Sequence, residues 1–198
     1  GGFGGRTDYA VGDHPMGVPQ VAVGRLPVSH PLEAASVVEK IIAYESGEAS
    51  PRGGRAQRFT FFTDEDSLFE GFDKKIKGFE TALGEGRHLQ HFDREVLGDD
   101  QLHQQIMDTF HASPLVVNLF GHGVEDMWAA YDVFNTDHVN QLNNSEWPIV
   151  VGLNCFTAYH YDADLQWKSL GESLVLKSNS GAIAYWGSPA MTIPSAQA

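Results

Sequence analysis

Apolar and polar positions alternate along this chain in two periods, and the change from one period to the other marks out its elements. Ala34, Val37, Val38, Ile41, Ile42 and Tyr44 recur at helical spacing behind Pro31-Leu32-Glu33, so a helix starts at Pro31, with Ser29 or His30 near its N-cap and Gly47 as its stop. Arg58-Phe59-Thr60-Phe61-Phe62-Thr63 reads as a strand. Leu68–Leu83 is a helical pattern with Phe69, Phe72, Ile76 and Phe79 on its apolar face. His88–Phe92 is a short strand, and Asp99–Ala112 a helix carrying Leu102, Ile106, Met107 and Phe110 on one side.

Two apolar runs follow, Leu115–Phe120 and Pro148–Asn154. Between them lie a loop and a helix that starts at Thr136, as cap, and ends near Asn143-Asn144. Ser169–Leu176 is a short helix, and Gly181–Gly187 a last buried strand. Gln20–Pro27 contains an early strand, closed by its proline. Strands alternating with helices predict an α/β fold, a mostly parallel sheet with helices on both faces. Residues 1–19 and 193–198 read as irregular ends around one domain over 20–192.

Composition narrows the function. The 198 residues are 42% hydrophobic, enough for one sizeable core. A net charge of -13 repels phosphate backbones and anionic lipid, so neither nucleic acid nor membrane is expected as a partner. No apolar run reaches the ~20 residues of a membrane span, and Gly1–Arg6 lacks the apolar segment of a signal peptide. The single cysteine forms no internal disulfide.

That cysteine changes the picture most. Ligands of parallel sheets gather beyond the carboxyl ends of the strands. There Gly121-His122-Gly123 closes one apolar run, and Cys155 closes the other. A lone cysteine after a strand is commonly a small core residue, and Gly-His-Gly alone is a weak motif. Together they place a thiol beside a base. The N–H groups of Gly123 and Cys155 are candidates for an oxyanion hole. Asp64, Glu65 and Asp66 follow the 58–63 strand. They offer a carboxylate to orient the imidazole, or equally a cap for the helix that follows.

Neither His88 and His91 nor His160 with Asp162 and Asp164 has the spacing of a zinc site. No metal or cofactor is expected. Walker and Gly-x-Ser-x-Gly patterns are absent.

Val21–Pro27, Lys40–Glu45, Phe120–Gly123, Val151–Cys155, Ser169–Leu174 and Gly181–Ser188 together resemble the gingipain-type cysteine peptidases, over roughly Asp8 to Thr192. The resemblance implies a caspase-like three-layer α/β/α sandwich and endopeptidase activity on protein or peptide substrates. It carries the Cys-His dyad onto Cys155 and His122, and the orienting carboxylate onto Asp64. It implies a basic P1 preference, with Asp66, Glu70 and Asp73 in the region of an acidic S1 residue. Trp186 to Met191, including Ser188, falls in the S1 wall. A secreted or cell-surface address is implied by the resemblance alone. The chain is short against the family's catalytic unit, which raises a second expectation: a catalytically incomplete binding or scaffolding domain of the same fold. An acyltransferase using the same dyad is a third.

Overall fold

A computed structural model describes residues 23–65, 72–160 and 167–192, with backbone alone at 72–74 and 80. Its centre is a five-stranded sheet built from β1 (Arg58–Thr63), β2 (His88–Asp93), β3 (Val116–Phe120), β7 (Ile149–Leu153) and β8 (Ala184–Gly187). The spatial order is β2-β1-β3-β7-β8, and every neighbouring pair is parallel. The α/β reading, with a mostly parallel sheet, is therefore correct.

The helices are α1 (Pro31–Glu45), α2 (Phe72–Leu83), α3 (Arg94–Leu97), α4 (Asp99–Ala112), α5 (Thr136–Gln141) and α6 (Leu170–Leu176). Strand periodicity sorts the apolar side chains onto two faces. Phe62, Val117, Leu119 and Val150 point one way and build the main core with Leu102, Ile106 and Phe110 of α4, Val139 of α5 and Leu170 and Leu174 of α6. Phe61 and Phe120 point the other way, onto Ile76 of α2. Burying a large aliphatic or aromatic side chain contributes about 1.5–3 kcal/mol. The all but inaccessible Phe62, Phe110, Leu102 and Ile106 therefore anchor α4 on the sheet.

Four local expectations need correction. Val23–Val28 forms no strand; Val23 and Leu26 are exposed, and no described strand pairs with the segment. The expected strand's first residues, 20–22, lie outside the described residues, as do 66–71 of the helical pattern at Leu68–Leu83. The cap of α5 is Asn135, not Thr136. Asn135 Oδ1 accepts from the N–H groups of Asp137 (2.9 Å) and His138 (3.1 Å), and its own N–H donates to His138 Nδ1 at 3.2 Å. That helix ends at Gln141, short of Asn143. The Gly181–Gly187 stretch is strand only from Ala184; its buried residues, Gly181 and Ala182, precede the strand, whose own residues are part or largely exposed. Among the described strands β8 has one neighbour, and Trp186 is 73% exposed.

The loop between β3 and α5 holds a small antiparallel sheet that the sequence pattern did not suggest: β4 (Gly123–Val124), β5 (Met127–Trp128) and β6 (Phe134–Asn135). Its two-residue strands are too short for periodicity to register. Its anchor is Trp128, wholly buried and edge-on to Phe62.

Candidate active site

Parallel strands bring their carboxyl ends to one rim. Phe120 of β3 lies between Thr63 of β1 and Leu153 of β7, so the residues after each share a short stretch of sheet edge. Asp64, His122 and Cys155 are those residues.

Asp64 is the buried member, at 3% exposure. Its N–H donates to Phe120 O at 3.0 Å, which seats it against the end of β3. Oδ2 accepts from Nδ1 of His122 at 2.8 Å and from the His122 N–H at 3.1 Å. Oδ1 accepts from the Glu65 N–H and from Arg94, each at 2.8 Å. Among the described residues, these four donors turn the carboxylate towards the histidine loop and Arg94. Gly121 makes this approach feasible: a Cβ there would stand 2.2 Å from Asp64 Cβ.

The His122 side chain is half exposed. Its loop is braced on both sides. Gly121 N–H donates to Leu153 O at 3.2 Å, and Ala129 N–H donates to His122 O at 3.0 Å. Gly123 is the contact with the cysteine loop. A Cβ on it would sit 2.9 Å from Cys155 O and 3.0 Å from Thr157 Cγ2.

Cys155 stands on a tight turn after β7 in which Phe156 takes a left-handed conformation, φ 57°. The turn is held from below. Asn154 Nδ2 donates to Leu119 O at 3.0 Å, Thr157 donates its hydroxyl to Asn154, and the Tyr185 hydroxyl donates to Thr157 Oγ1 at 2.7 Å. Cys155 is half-buried. Its S–H donates to Thr192 O at 3.2 Å, and Thr192 N–H approaches the sulfur at 3.4 Å. The 188–192 segment runs alongside the cysteine turn, Phe156 N–H donating to Ala190 O at 3.2 Å and Ala158 N–H to Ser188 O at 3.1 Å.

The other residues singled out from sequence are placed less centrally. Trp186 lies on β8 beside Val151, on the sheet face that α2 shares. The Ser188 hydroxyl is used in its own turn, bonded to Ala190 O at 2.8 Å. Asp73 falls in the first turn of α2, and Asp66 lies outside the described residues. Sequence reasoning missed Arg94, which touches Asp64 and whose only local signal is its position just after β2. It also missed Thr192, whose contact is made by backbone and has no side-chain signature. Among the described residues no helix is long and apolar enough to cross a membrane.

The fold of this chain is shared with solved structures. One similar structure is described simply as a protease (TM-score 0.69, 18% identity, 89% of this chain and 38% of that one). A second is the Arg-specific cysteine proteinase gingipain R (TM-score 0.67, 18% identity, 89% and 42%). A third is the complex of the pro- and mature domains of RgpB from Porphyromonas gingivalis (TM-score 0.65, 18% identity, 89% and 43%). At this identity the likeness shows the caspase-like fold, and the chain spans about two fifths of the length of these structures. No curated protein matches it. The chain belongs to Peptidase family C25, whose sequence profile it matches over residues 5–198.

Proposed function

We propose that this chain carries the catalytic centre of a cysteine endopeptidase, with Cys155 as nucleophile, His122 as acid–base and Asp64 as the group that orients His122. The observation that carries the reading is a contact: Gly123, next to the Asp64-held His122, is seated against the Cys155 carbonyl.

The chemistry follows from these positions. The Cys155 sulfur attacks the scissile carbonyl, and the C–N bond breaks to leave a thioester. The thiol's proton is transferred through His122 to the leaving amine. The Gly123 and Cys155 N–H groups stabilise the oxyanion. Water then cleaves the thioester and restores the thiol. The S–H bond to Thr192 O has to be given up before attack.

The substrate is a protein or peptide with a basic P1 side chain, in keeping with the chain's net charge of -13 and with Asp66 and Asp73 on the segment after β1. Trp186 and Ser188 would line its path.

Cleavage of a mixed peptide library is the test. The expected result is hydrolysis after Arg or Lys, lost in Cys155→Ala, with a peptidyl ketone labelling Cys155 only in the folded protein. Retained hydrolysis in Cys155→Ala would remove the nucleophile assignment. An unlabelled thiol and no cleavage by the wild type would favour the scaffolding alternative.

A further inference from the structure

A buried carboxylate needs a permanent counter-charge, because an ion taken out of water is costly unless paired. Asp64 is 3% exposed, and its partner His122 is an imidazole rather than a permanent cation. Arg94 is always charged. Its side chain is 14% exposed and lies 2.8 Å from Asp64 Oδ1. It comes from the first residue of α3, directly after β2.

The guanidinium is itself held in place. Nε donates to Asp99 Oδ1 at 2.7 Å and a terminal nitrogen to Asp99 Oδ2 at 3.2 Å, while the other terminal nitrogen reaches Asp64. Asp99 opens α4, the helix buried most deeply against the sheet. Among the described residues, Glu65 also faces Arg94, at 3.9 Å and largely exposed. A planar fork serves two carboxylates at once, which a lysine cannot do.

Resting on the peptidase reading, we infer that Arg94 is a positioning residue for His122. It fixes the Asp64 carboxylate from the side opposite the imidazole and draws off part of its charge. A line Asp99–Arg94–Asp64–His122 thus ties the acid–base to the rigid N-terminus of α4. Two consequences are expected. Without Arg94, Asp64 is no longer held at a fixed angle to Nδ1. With a cation removed nearby, the His122 ring keeps its proton to higher pH.

The experiment compares Arg94→Gly, Arg94→Lys and, as a distant control, Arg25→Gly, with and without guanidinium at sub-denaturing concentration. Arg94→Gly is expected to lose about 10–100-fold in kcat with KM little changed, and to recover activity when guanidinium is added. Arg94→Lys recovers only part, and Arg25→Gly behaves as wild type throughout. The alkaline limb of the pH–rate profile of Arg94→Gly moves up. A loss that guanidinium does not rescue, or no loss at all, overturns the inference. NMR titration of the His122 ring in the folded chain separates it from the peptidase reading. If the wild type hydrolyses nothing, that reading fails. The ring midpoint, raised in Arg94→Gly and restored by guanidinium, still supports the positioning contact, and an unmoved midpoint overturns it.

Discussion

Asp64 Oδ2 accepts two hydrogen bonds from His122, one from the ring at 2.8 Å and one from the backbone N–H at 3.1 Å. The pair joins the end of β1 to the end of β3. It sets the ring's tautomer as well as its place: with a carboxylate at Nδ1, that nitrogen carries a proton, and in the proposed mechanism Nε2 is the atom that exchanges protons with substrate.

Asp64→Asn preserves shape and removes the charge. The amide can donate where the carboxylate only accepted, so Nδ1 loses the acceptor that fixes its tautomer. A kcat loss of about 10²–10⁴-fold is expected, with the fold retained by circular dichroism. Near wild-type turnover in a folded Asp64→Asn protein would show that the orienting contact is idle.

Gly123→Ala tests the seat between the two loops. The added Cβ would meet Cys155 O at 2.9 Å and Thr157 Cγ2 at 3.0 Å, and one of those contacts is backbone that cannot swing aside. Overpacking of this kind costs about 1–3 kcal/mol. The urea midpoint should fall, and hydrolysis should fall further than stability explains, because the strain is relieved by parting His122 from Cys155. Unchanged kcat in this variant would mean that the loops do not need this contact.

Lys40 provides a pH dependence away from the site. It is 3% exposed, and its ammonium donates to the carbonyls of Val175, Lys177, Ser180 and Ala182 at 2.8–3.0 Å, with the Trp147 ring 5.2 Å away. Burial pushes its pKa down to about 7, from 10.5. Between those values the unfolded chain binds the extra proton. Stability therefore rises as pH rises from 7 towards 10.5, by up to ~1.4 kcal/mol per pH unit. Urea unfolding at successive pH values should show this slope in the wild type and a flatter one in Lys40→Met. Equal slopes would exclude Lys40 as its source.

Much of the fold was legible because its cause is local. Alternation in Arg58–Thr63 and helical spacing in Asp99–Ala112 are properties of a few neighbouring residues, and both elements occur where the pattern puts them. The same patterning misled where partners decide. Val23–Leu26 has the residues of a strand but no described strand to pair with, and Gly181–Ile183 has the apolar run without the ladder. Asn135 outcompetes Thr136 as the α5 cap because its amide reaches both free N–H groups and also donates to Tyr131 O at 2.8 Å.

From its residues alone this chain declared an α/β order of elements, and a histidine and a cysteine each closing an apolar run, since periodicity and strand ends are written in consecutive positions. Local pattern left the Asp64-Glu65-Asp66 cluster undivided and only the family resemblance singled out Asp64; tertiary structure set its carboxylate against His122. It also brought Arg94 behind that carboxylate, laid the Thr192 backbone on the sulfur and enclosed Lys40 in carbonyls. These are settlements of buried charge and unpaired polar groups, and such groups take whatever partner the packed chain brings near, however distant in sequence.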